Sequence, residues 1–134
     1  MPGFHHVELW IVDLDAVRAE WRWILQRLGF TLDSEWPGGE SWVADSAYLT
    51  LTTSPNLSGP THDRRRPGLN HLAFHGGARA AVDALMAQAP AHGWDPLYAD
   101  RYPHAGGDRH YAGWLENASG FKIEIVADAG SYAP

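Results

Sequence analysis

The chain has no cysteine. That excludes disulfides, thiolate nucleophiles and thiolate metal ligands. It also has no apolar run near membrane-spanning length and no charged-then-apolar leader pattern at its start, so a cytoplasmic location is the default expectation. Positive charge is scarce: 10 Lys and Arg against 16 Asp and Glu leave a formal net charge of −6. Such a chain has no basic surface for nucleic acid, and neither nucleic acid nor a membrane is expected as partner. The one basic run, Arg64-Arg65-Arg66 beside His62, Asp63 and Pro67, reads as a solvated linker, although it can steer an anionic substrate. Hydrophobic residues are plentiful at 45%, which in 134 residues suffices for one domain with a buried core. Seven Trp and 8 His are many for this length. Their place in strands and loops suggests an aromatic cavity with polar lining.

Internal repetition organises what is present. Pro67-Gly68-Leu69-Asn70-His71-Leu72 repeats Pro2-Gly3-Phe4-His5-His6-Val7 at a constant offset, and Val82 repeats Val17 at the same offset. The pattern predicts two similar halves within a single domain 1–134: a first module over about 4–53, a linker over 54–67 and a second module over about 68–127.

Each half reads β-α-β-β-β. A strand over 6–12 puts Val7, Leu9 and Ile11 on one face and His6, Glu8 and Trp10 on the other. Asp13 or Asp15 can cap a helix carrying Val17, Trp21, Ile24, Leu25 and Leu28, which Gly29 ends. Strands follow over 30–35, 41–44 and 47–53, with Pro37-Gly38-Gly39 as a turn. The second half predicts a strand over 70–75, a helix over 78–89, a short strand over 97–100, a loop over 101–108 and a hairpin of 110–116 with 121–127. The tail 128–134 is expected to be loose.

The two-residue period of strands then sorts the polar residues. Phe121, Ile123 and Ile125 can face the helix layer, which sends Lys122, Glu124 and Val126 to the other face. His6 and His71 fall on the corresponding faces of their own strands. If each half is a curved sheet with its helix outside, these faces line a common concavity. Two histidines and a carboxylate would then project into it. That donor set, with open positions, suits a divalent ion such as non-haem Fe(II), and Mn, Co, Ni or Zn as well. The plainer reading keeps the histidines as hydrogen-bonded strand residues and gives Glu124 a partner in Lys122 or an arginine.

With His6-Val7-Glu8-Leu9-Trp10, Leu28-Gly29-Phe30, Gly68-Leu69-Asn70-His71-Leu72 and Asn117-Ala118-Ser119-Gly120-Phe121-Lys122-Ile123-Glu124-Ile125 on the page, the chain resembles the vicinal oxygen chelate superfamily. That group contains glyoxalase I, bleomycin-resistance proteins, fosfomycin-resistance transferases and extradiol dioxygenases. The resemblance spans His6 to Val126. It implies an α+β fold of two βαβββ modules forming an open, cupped mixed sheet. It also implies His6, His71 and Glu124 as ligands of a divalent metal (Fe, Mn, Zn, Ni or Co), and a homodimer whose cup is built within one chain or between two. Glyoxalase I has a further glutamate in its first half. Aligning Leu49-Thr50-Leu51 with Ile123-Glu124-Ile125 puts Thr50 there, which turns the expectation towards three-ligand enzymes of dioxygenase, lyase or isomerase type.

Other candidates come from position. His110, His75 and Tyr102 are candidate proton carriers, His110 because imidazole titrates near neutrality. Glu8, Trp10, Trp42, Tyr48, Thr50, Arg109, Tyr111 and Trp114 are expected to line the substrate pocket, with ordinary core packing the alternative for the tryptophans. The loop with Gly106-Gly107 and His104 can close over a ligand. His5 points away from His6 and is expected to be structural. The functional expectation is a metal-dependent enzyme acting on a small substrate with vicinal oxygens. The alternative is a metal-free antibiotic-binding protein of the bleomycin-resistance type.

Overall fold

The computed structural model describes residues 2–129; the expectation for the tail from 130 onward lies outside the described residues. The elements are β1 (His6–Trp10), α1 (Leu14–Arg27), β2 (Thr31–Trp36), β3 (Gly39–Ala44) and β4 (Ala47–Thr52). They are followed by β5 (Leu72–Gly77), α2 (Arg79–Gln88), β6 (Asp95–Leu97), β7 (Ala112–Glu116) and β8 (Lys122–Ala127), with short 3-10 turns at Ala89–His92 and Ala99–Arg101. The repeated β-α-β-β-β order is present. The chain divides into two compact units, Met1–Pro60 and Thr61–Pro134. Among the described residues no helix is long and apolar enough to cross a membrane.

In the first unit the strand order is β1-β4-β3-β2, with β1 and β4 parallel and the other pairs antiparallel. Helix α1 starts where the Asp13 carboxylate accepts from the Ala16 N–H at 3.4 Å, and it ends before Gly29, whose φ of 89° an L side chain resists. It buries Leu14, Trp21, Ile24 and Leu25. The register puts Val7, Leu9, Leu49 and Leu51 on one face, and Tyr48 and Thr50 beside His6 and Glu8 on the other.

The second unit repeats the layout as β5-β8-β7-β6. Val82 and Leu85 of α2 are buried, as are Leu115 of β7 and Ile123 and Ile125 of β8. The expected strand over 97–100 lies earlier, at Asp95–Leu97, because residues 99–101 turn into a 3-10 helix. Part of the expected linker is folded into this unit. His62 stacks on Phe121 with centroids 4.8 Å apart, its N–H bonds to the Ser119 carbonyl at 3.3 Å, and Arg64 Nε donates to Glu116 at 2.6 Å. Arg65 and Arg66 remain exposed beside Asp63.

Candidate functional site

The second unit gathers two of the expected histidines around one carboxylate. Glu124 lies in the middle of β8, opposite Ala73 of β5 and Trp114 of β7, and is 5% exposed. His71 Nε2 approaches its Oε1 at 3.2 Å, and His110 Nε2 donates to its Oε2. His71 precedes the paired part of β5 rather than lying within it. The His110 ring packs against Gly106 so closely that a Cβ there would lie 2.6 Å from its Cδ2. Trp114 meets the His71 ring edge-on at 4.9 Å.

A hydrogen-bond chain fixes how His71 is presented. Asn70 Nδ2 donates to the Arg64 carbonyl at 3.1 Å, which turns Asn70 Oδ1 towards His71. That oxygen accepts only, so His71 Nδ1 carries the proton of the 2.7 Å bond between them. In the neutral ring Nε2 then presents a lone pair to an ionised carboxylate oxygen. Two electron-rich atoms facing each other need a cation between them, either a proton or a metal ion. Ligand atoms about 2.1 Å from one ion stand roughly 3 Å apart, so this pair fits an ion, and Asn70 orients the imidazole as outer partners of metal ligands do. Among the described residues no group of three His, Cys, Asp or Glu side chains is set to hold an ion; the second unit supplies a partial donor set.

The first unit carries its own cluster on the face away from α1. His6 stacks on Tyr48 with centroids 4.7 Å apart, and Trp10 Nε1 donates to Glu8 at 2.7 Å. Buried Thr50 shares a 2.8 Å hydrogen bond with Ser41. His5 does not point away from His6. The two Nδ1 atoms are 2.8 Å apart, because the chain at His5 has not yet entered the alternation of β1.

Several expected pocket residues are elsewhere. Trp42 is a correction: it is 1% exposed, faces the helix layer and donates from Nε1 to Glu40 at 3.0 Å. The turn expected at Pro37-Gly38-Gly39 ends one residue sooner. Trp42 lies opposite Leu49 of β4, on the apolar face, and the two-residue period puts Glu40 there as well. Glu40 is wholly buried and pairs with Arg18 Nε at 3.2 Å and Arg22 Nη2 at 3.4 Å, both from α1. Sequence reasoning missed it; a glutamate two residues before an inward tryptophan, with arginines one turn apart in α1, was the available signal.

Tyr102 and Tyr111 are corrections too. Both hydroxyls donate to Asp83 of α2, Tyr111 at 2.7 Å, because Tyr111 is one residue out of phase with His110 and Ala112. Burial first, and the Asp83 carboxylate second, push both phenols above their ordinary range. They tether the loop 102–111 to the helix rather than meeting Glu124. His75 and Arg109 are exposed.

The comparisons agree with this architecture. Residues 5–112 match the family model for the Glyoxalase/Bleomycin resistance protein/Dioxygenase superfamily. The chain belongs to that superfamily. It is 43% identical over 125 residues to the uncharacterized protein YqjT of Bacillus subtilis (strain 168), covering 92% of this chain and 97% of that one. A provisionally named glyoxalase from Bacillus halodurans shares 40% identity at a TM-score of 0.87, over 93% of this chain and 95% of that one. Lactoylglutathione lyase from Agrobacterium tumefaciens, at 18% identity and a TM-score of 0.66 over 96% of each chain, shares the fold.

Proposed function

We propose that this superfamily member is a divalent-metal-dependent enzyme acting on a small substrate with two adjacent oxygens. The observation supporting it is His71 Nε2 held 3.2 Å from Glu124 Oε1, with its other ring nitrogen turned to Asn70. His71 and Glu124 would hold the ion; His6 joins them through the resemblance alone and has its own test. A bound ion supplies Lewis acidity, stabilising charge that develops on the substrate oxygens. His110 holds Glu124 through its second oxygen and keeps a proton at Nε2, where it can be passed to or from a substrate. Burial of Glu124 excludes water from the carboxylate and strengthens both contacts.

The test is metal content and calorimetric affinity for Mn(II), Fe(II), Co(II), Ni(II) and Zn(II). Glu124→Gln and His71→Ala should lose most of the occupancy while retaining the fold, and His6→Ala should weaken it. Normal occupancy in Glu124→Gln would overturn the reading. The absence of a three-donor group among the described residues favours one other reading, a metal-free binder of small molecules. Ligand affinity unchanged by EDTA would select it.

A further inference from the structure

Lys122 is the only lysine in the chain, and it is not on the surface. It opens β8 on the Glu124 face with 9% of it exposed. Among the described residues no carboxylate lies within ion-pair distance of it. Its Nζ donates to the Tyr98 hydroxyl at 2.9 Å and stands 5.0 Å from the Tyr98 ring centre and 4.7 Å from that of Trp114. A buried ammonium is costly unless compensated, and one neutral oxygen with two ring faces compensates it only in part. The ammonium has three donors, and among the described residues one is used.

Three further observations fall on the same spot. Trp114 Nε1 is buried and has no hydrogen-bond partner among the described residues; a buried donor left unmet is uncommon in a folded protein. Tyr98 is held at φ 58° and ψ 34°, a left-handed conformation that strains a side chain of its size and recurs at ligand clamps. Arg101 lies over the same ring at 5.0 Å, whereas the charge of Arg64 is met by Glu116. The Lys122 bond above all, with the two arginines, holds the Tyr98 phenol below its ordinary range.

The geometry points to Lys122, Tyr98 and Trp114 as an anion subsite that takes the carboxylate of a small organic acid. A single ammonium between two rings suits a monoanionic, planar group. Phosphate would want more cations or a row of backbone N–H groups. Lys122 and Glu124 project from one strand face two residues apart, about 7 Å along the backbone. Trp114 touches both ends, facing His71 on one side and Lys122 on the other. A ligand spanning them has adjacent oxygens at one end and a carboxylate a few bonds away. Its orientation rests on the metal reading above; the carboxylate subsite stands on its own residues.

Two probes isolate the distal carboxylate. α-Ketoglutarate and α-ketovalerate share the keto-acid end and differ in whether the far end is a carboxylate or a methyl group. Calorimetry with Mn(II) present should show the diacid binding about tenfold or more tightly, the worth of one charge-assisted hydrogen bond. Lys122→Met should bring the diacid down to the monoacid's level. Tyr98→Phe, which removes only the hydroxyl, should reduce the preference several-fold and keeps the test alive if Lys122→Met fails to fold. Equal affinities in the wild type, or an undiminished preference in the variants, would overturn the assignment. Repeating the titrations in EDTA separates the two ideas. A preference that survives without metal dependence keeps the carboxylate subsite and removes the metal reading; metal dependence without preference does the reverse.

Discussion

Thr50 and Glu124 occupy the same register position in the two sheets. Thr50 sits on β4 opposite Glu8 of β1, and Glu124 on β8 opposite Ala73 of β5. In the first unit that position is neutral and closed by the Thr50–Ser41 hydrogen bond, whereas in the second it is a carboxylate met by two imidazoles. Thr50→Glu should therefore be tolerated poorly, since the new charge would be buried beside a hydroxyl. We expect a loss of about 2 kcal/mol or more in denaturant unfolding, and an unchanged midpoint would contradict the burial of this site.

Glu40 offers a second measurement. Removing it by Glu40→Ala leaves Arg18, Arg22 and Trp42 Nε1 without their common acceptor. The expected cost is about 3 kcal/mol, the low end for breaking a buried pair, because both arginines are partly exposed and can rehydrate. Denaturant midpoints at low and high salt would show it, and the loss should persist in salt.

The Asp83 tether predicts a pH dependence. Tyr102 and Tyr111 have raised values in the folded protein. The stability they contribute is thus fully present below the ordinary tyrosine value and is lost as pH rises through their folded values. Tyr98, shifted the other way, contributes with the opposite sign: its share is present above the ordinary value and is lost as pH falls through the folded one. Ultraviolet titration should find Tyr102 and Tyr111, of the 5 tyrosines, ionising above the ordinary tyrosine range. In Asp83→Asn both should move back towards ordinary behaviour, and no change would dissolve the tether.

Gly106 predicts an effect on His110 without touching it chemically. A methyl group in Gly106→Ala would meet the ring at 2.6 Å, and an imidazole that gives way to it loses its present alignment on Glu124. Imidazole nitrogen signals in NMR should change for His110 while the melting temperature falls by only a few degrees. Unaltered signals would mean that the loop yields instead.

The duplicated order and the helix faces were legible because apolar alternation and the glycine at the end of α1 express themselves within a few residues. Glu124 was legible for the same reason, standing between Ile123 and Ile125. What escaped were contacts that depend on a phase set elsewhere. The pairing of Trp42 with Leu49 turned Trp42 inward, and Asp83 on a neighbouring helix drew Tyr102 and Tyr111 away. His5 and His6 met because local alternation does not govern a residue outside the ladder. His110 on Glu124 was foreseen only as a facing residue; its hydrogen bond follows from a loop whose path no periodicity describes.

The stacking of His62 on Phe121 sets how much slack the connection between the halves can lose. Trimming up to residue 60 would shorten a tether. A deletion reaching His62 would instead uncover an aromatic ring at the head of β8 and free the Ser119 carbonyl, loosening the very strand that carries Lys122 and Glu124.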